Sequence, residues 1–184
     1  MEGQEFTLEV VAQASSMTSE TVAQQLKSEN AQDLHLVRFR GYQRLGARTV
    51  SLYEFRHNLT QKYLYTNLED KERRRLHGGV GNALAELYGR FADRIAAQLA
   101  WHFQEADQAE KALNYLQIVA DRAARIYAYP EAIGFYERAV ATAVQSNADV
   151  PLLNHLYTQL GRILELNNQF EQALATYQEM ENLA

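Results

Sequence analysis

The chain is predicted to be mainly α-helical, with a small unit of two helices and a β-hairpin followed by antiparallel helices to its end. Three observations predict this. Apolar residues recur at helical spacing over residues 6–15 and again from about 18 to 31. Two β-rich runs then flank the turn Leu45-Gly46-Ala47-Arg48. From Ala92 onward, a single pattern of small and aromatic residues returns several times.

The first helix carries Phe6, Val10, Val11 and Ala14, with Thr7 placed to cap it. A polar turn leads to a second helix, which begins near Thr18 and runs through Val22, Ala23 and Leu26 to about Ala31. The run from Leu34 to Tyr42 is rich in β-formers, and simple alternation puts Arg38, Arg40 and Tyr42 on one face. Thr49 to Phe55 forms the returning strand. Two helices followed by a hairpin at about 34–55 is the layout of a winged helix, with the hairpin as its wing.

A winged helix can bind DNA, so charge matters. The helix that would enter the major groove offers Glu20, Lys27 and Glu29 and no arginine, although base readout and phosphate contact favour positive side chains. The wing carries Arg38, Arg40, Arg44, Arg48 and Arg56 against Glu54. These arginines suit either a solvated edge-strand face or a partner surface, for which Arg38, Arg40 and Arg44 are the candidates.

Phe55-Arg56-His57-Asn58-Leu59 ends the hairpin and starts a helix with apolar residues on more than one side, the pattern of a connector packed between neighbours. Asn67 is placed to cap a further helix over 69–91, in which Gly78, Gly79 and Gly81 predict close approach of another backbone. Residues 1–68 thus form the winged-helix module, 69–91 a connecting helix, and 92–184 the repeats.

In the repeats, Ala112-Leu113-Asn114-Tyr115, Ala132-Ile133-Gly134-Phe135 and Ala173-Leu174-Ala175-Thr176-Tyr177 share one pattern. Twelve residues before each alanine stands a small residue: Ala100, Ala120 and Gly161. This is the tetratricopeptide arrangement, in which small residues let paired helices touch while large ones fill the gap. The anchor alanines are spaced irregularly, by 20 and then 41 residues, against a constant 34 in that repeat. Helices are expected at about 92–106, 108–127, 130–146, 151–167 and 169–183, stacked as an α-α superhelix. Apolar residues continue to Met180 and Leu183, so further repeats or a covering partner are expected beyond residue 184.

Composition narrows the function. The formal net charge is −5, and residues 1–68 are neutral, so the acidic excess lies in the helical part; a general nucleic-acid binder would show a basic footprint. With no cysteine, thiolate metal sites, disulfides and cysteine nucleophiles are excluded. No apolar run approaches the roughly 18 residues of a membrane span, so no membrane partner and a cytoplasmic location are expected. The chain contains no P-loop, Gly-x-Gly-x-x-Gly, nucleophile elbow or His-Glu-x-x-His. His35, His57, His77, His102 and His155 have no ligand spacing, and His102 reads as a helix-packing residue. Trp101, Tyr115, Tyr129 and Tyr136 read as repeat core before they read as a ligand groove. No enzymatic activity, metal or cofactor is expected within this chain.

Several stretches together resemble one family: Gly3-Gln4-Glu5-Phe6-Thr7-Leu8-Glu9-Val10-Val11-Ala12, Tyr53-Glu54-Phe55-Arg56-His57-Asn58-Leu59, Gln61-Lys62-Tyr63-Leu64-Tyr65, Leu76-His77, and Ile95-Ala96-Ala97-Gln98-Leu99-Ala100-Trp101-His102-Phe103. They look like the large multidomain bacterial signal-transduction ATPases related to NB-ARC switches (the STAND class). Members include predicted ATPases attached to adenylate/guanylate cyclases and ATPase-containing transcriptional regulators. The similarity spans essentially the whole chain and would place it after the nucleotide-binding module.

In those relatives a Met-His-Asp motif ends the winged helix, and its histidine contacts the β-phosphate of ADP. Arg56-His57-Asn58 occupies the corresponding place. The resemblance therefore implies that His57 senses nucleotide phosphate and that Asn58 stands where the acid would be, without its charge. It also implies ADP or ATP in a full-length parent, an upstream nucleotide-binding domain acting in cis, and a protein or small-molecule effector on the helical repeats. The alternatives are a stand-alone repeat adaptor for protein–protein interaction and a winged-helix DNA-binding regulator.

Overall fold

The computed structural model describes residues 5–27, 36–45 and 48–182. The predicted end of the second helix near Ala31, the hairpin start at Leu34, the turn residues Gly46 and Ala47, and Leu183 lie outside the described residues. The fold is mainly helical with a small three-stranded antiparallel sheet. It divides into two compact units, residues 1–92 with 105–107, and residues 93–104 with 108–184.

The first unit opens with a short strand the sequence reading missed, β1 (Glu5–Thr7). It is followed by α1 (Leu8–Ala14), with Thr7 at the N-cap position, and α2 (Ser19–Lys27), where Thr18 Oγ1 accepts the Thr21 N–H at 3.2 Å. The hairpin is β2 (Val37–Leu45) and β3 (Arg48–Phe55). Strand order is β1-β3-β2, so β3 is central and paired on both sides. The ladder between β1 and β3 stops at Thr7–Leu52, and the Glu9 carboxylate takes up the next backbone donor, the Ser51 N–H, at 3.0 and 3.1 Å. A side chain thereby satisfies a group that a longer strand would have paired.

One sheet face is aromatic. Phe6 contacts Tyr53 and Phe55, Tyr53 contacts Phe39, and Phe39 contacts Tyr42, with ring centroids 5.2–5.9 Å apart. Leu8, Ala12 and Val22 close over the Phe6–Tyr53 end and complete the core of this unit.

Beyond the sheet come α3 (Asn58–Thr66) and α4 (Asp70–Tyr88). Asn67 terminates α3, its Nδ2 donating to the Tyr63 carbonyl at 2.7 Å, instead of capping the next helix as expected. Glu69 holds that N-cap position. The glycines of α4 admit a neighbour: a Cβ on Gly79 would lie 3.1 Å from both Cα and the carbonyl oxygen of Ala14 in α1.

A 3-10 turn (Gly89–Ile95) leads into the second unit: α5 (Ala96–Glu105), α6 (Ala109–Arg125), α7 (Tyr129–Gln145), α8 (Val150–Leu166) and α9 (Phe170–Glu181). Four of these helices end in one kind of turn. Asp107, Tyr127, Asn147 and Asn168 all take left-handed backbone, with φ between 52° and 61°. At each, the next residue donates its N–H back to the carbonyl five positions earlier at 2.9 Å, as in Ala128 to Ala123 and Gln169 to Leu164. These turns recur every 20 or 21 residues. The spacing that looked irregular is therefore regular per helix, because the position of Ala112, Ala132 and Ala173 is held in α8 by Leu153. α6, α7 and α8 have 17 residues each, about 25 Å.

The core of this unit runs through every helix, from Ala100 through Leu116, Tyr136 and Leu156 to Ala173. Gly161 accounts for the closest packing: a Cβ there would overlap the ring of Tyr177 in α9. Among the described residues, no helix is long and apolar enough to cross a membrane.

Candidate functional site

His57 follows β3 directly and occupies the N-cap position of α3 in an extended conformation, φ −128° and ψ 120°. Its carbonyl accepts the first helical N–H groups, from Thr60 at 3.1 Å and Gln61 at 3.4 Å, while its ring makes no capping bond. His57 and Asn58 both face solvent. A histidine here stands where the positive end of the helix dipole favours an anion.

α3 itself departs from expectation. All nine of its residues remain at least partly exposed, and Leu59 and Tyr63 are 79% and 68% exposed. The apolar pattern that predicted a connector packed between neighbours instead leaves an open apolar face. Its inner anchor is Tyr65, whose hydroxyl lies 3.0 Å from Nε2 of the fully buried His77 in α4. In the sequence His77 has a place in the Leu76-His77 stretch but no partner, although it shares a helical face with Val80, Gly81 and Leu84.

The hairpin arginines divide between two faces. A β-bulge between Phe39 and Gly41 leaves Arg40 as the extra residue. Arg38 then pairs across from Glu54, whereas Tyr42 and Arg44 pair with Ser51 and Thr49 on the Phe39–Tyr53 face. The expected grouping of Arg38, Arg40 and Tyr42 fails for this reason, since one inserted residue shifts everything after it to the opposite side. Gly41, at φ 128°, supplies the backbone that the bulge requires. Arg38 and Arg40 both bind the buried carboxylate of Glu54, Arg40 at 3.2 Å.

Residues of α2 and of the hairpin line an open cleft of about 660 Å³. Phe39, Tyr42, Tyr53, Val37, Ala23 and Leu26 line it, and its charged lining residues among those described are Lys27, Arg38 and Arg56. Phe39 and Tyr42 are 47% and 76% exposed there.

In the helical unit the expected core aromatics separate. Tyr136 is buried, with its hydroxyl donating to the Asp121 carboxylate, and both burial and that bond push its pKa up. Tyr115 stacks on Phe103 at 5.7 Å. Trp101 is largely at the surface, while His102 is buried as a packing residue. Ile126 and Tyr127 at the α6–α7 turn and Leu166 and Phe170 at the α8–α9 turn are all more than half exposed. Consecutive helices joined by such short turns run antiparallel, so these two turns lie at the same end of the stack.

No family model matches the chain, and comparison with curated proteins and with solved structures gives no match.

Proposed function

We propose that the chain is a non-catalytic regulatory segment of a larger signal-transduction ATPase, with residues 1–68 as a winged-helix module and the helices after residue 92 as a tetratricopeptide-like array. The observation that carries this reading is the placement of His57, solvent-facing at a helix N-terminus directly behind the central strand of the sheet. A phosphate held by an upstream nucleotide-binding domain would meet a ring N–H donor and the helix dipole together. ADP would hold the parent in its resting state through this contact, and its loss would release α3.

Two further features support the reading. We read the sheet of order β1-β3-β2, with two helices between β1 and the hairpin, as the sheet of a winged helix. We read Gly161 against Tyr177 as a small-against-large contact of the kind expected between paired tetratricopeptide helices. Helices of 17 residues make each pair longer than that repeat, so the likeness is one of packing and not of period.

On the helical unit, the effector surface is the edge bearing Ile126, Tyr127, Leu166 and Phe170. Tyr127 is decisive here, because a bulky residue holds the left-handed position that Asp107, Asn147 and Asn168 fill elsewhere, and it is 78% exposed. Backbone strain kept at an exposed aromatic fits a protein-contact role.

The test is His57→Ala in the full-length parent. Faster ADP release and raised basal activity are expected. Unchanged ADP retention would sink the switch assignment, and retention of ADP by this chain alone would place the nucleotide site elsewhere.

A further inference from the structure

We infer that the cleft between α2 and the bulged hairpin is a binding site for a small organic anion with a flat apolar body. Its volume of about 660 Å³ lies in the range of ligand pockets, about 300–1,000 Å³. The bulge at Arg40 creates the site by turning Tyr42 onto the face of Phe39, where the two rings meet edge to face at 5.2 Å and 70°. Phe39 also meets the buried Tyr53 edge to face, so the aromatic core of the unit continues outward onto Phe39 and Tyr42, which stay exposed.

Among the described residues, the charged side chains that line the cleft have one sign. Lys27 ends α2 at one rim, and Arg56 follows β3 at another. Neither side chain has an ion-pair partner among the described residues, and no carboxylate lines the cleft among them. Arg38 is matched by Glu54, but Glu54 is shared with Arg40, so that cluster also keeps a positive excess. Aromatic faces would hold a planar body by stacking, while the unmatched ammonium and guanidinium would select a carboxylate or sulfonate at its edge. This inference does not depend on the nucleotide-switch reading, because His57 is not among the lining residues.

The probe is 8-anilinonaphthalene-1-sulfonate, titrated into the folded chain and followed by fluorescence, with neutral N-phenyl-1-naphthylamine as the uncharged control. One saturable site is expected. K27E/R56E should weaken the sulfonate at least tenfold and leave the neutral dye within twofold. Phe39→Ala should weaken both. Circular dichroism checks the fold of each variant, and if the charge reversal unfolds the unit, K27Q/R56Q decides with an expected loss of about threefold. Sulfonate affinity unchanged by the charge variants, or by Phe39→Ala, overturns the proposal. Stoichiometric displacement of the probe by duplex DNA also overturns it, in favour of a nucleic-acid surface.

Discussion

Tyr65 and His77 meet edge to face, with ring centroids 5.8 Å apart, planes at 84°, and the phenol oxygen 3.0 Å from the imidazole Nε2. His77 is fully buried, and burial, with nearby positive charge including Arg73, pushes its pKa down to about 4. A neutral imidazole can accept the Tyr65 hydroxyl proton; an imidazolium cannot.

The pair predicts an acid-labile first unit. The folded pKa lies below the unfolded value of about 6.5, so unfolding takes up a proton. Stability from this group is complete above about pH 6.5 and is lost as the pH falls towards 4, by up to about 3 kcal/mol. Urea denaturation at pH 7.5 and 4.5, compared between the wild type and His77→Gln, measures it. An equal pH dependence in both proteins would refute the assignment.

Gly161 and Gly134 should respond oppositely to alanine. At Gly161 the new Cβ would overlap the Tyr177 ring, and overpacking of this kind costs about 1–3 kcal/mol. At Gly134, within α7, a Cβ meets nothing within 4 Å, and the helix gains about 0.5–1 kcal/mol. Thermal melts of the two variants should therefore move in opposite directions.

Gly79→Ala tests the contact between α1 and α4. The two nearest atoms a Cβ would meet, Cα and the carbonyl oxygen of Ala14, are backbone atoms and cannot rotate away. A loss of about 1–3 kcal/mol is expected, read as a lower denaturation midpoint with an unchanged slope.

Tyr127→Gly should raise stability while lowering affinity for any effector at the α6–α7 edge. Relief of left-handed strain, about 1–2 kcal/mol, outweighs the added freedom of glycine in the unfolded chain, leaving a gain of about 0.5 kcal/mol. A destabilised variant would mean that the edge-to-face contact of Tyr127 with Tyr129, at 6.1 Å, matters more than the strain.

The helices after residue 92 were legible because their signals are local. Each carries an apolar stripe within its own sequence, and Pro130 and Pro151 mark two of the starts. Their true period was not legible, because Leu153 fills in α8 the place that alanine fills elsewhere and hides the match. β1 escaped notice for a different reason. Three residues are too few to show alternation, and Phe6 fits a helical stripe with Val10 equally well.

The candidate site divides in the same way. His57 and Asn58 stood out through the resemblance carried by Arg56-His57-Asn58, and both lie exposed at the start of α3, directly after β3. The hairpin face differs from the expected one because strand alternation holds only while the two strands count residues equally. Gly41, inside an otherwise β-rich run, was the available sign of a bulge. What the sequence determined by itself was the kind and order of most elements, since apolar period, capping and turn chemistry act over a few residues. Which side chains converge was decided by tertiary structure. Ala14 on Gly79, Tyr65 on His77 and Tyr42 on Phe39 depend on register and close approach, and these follow from packing between segments that local signals do not connect.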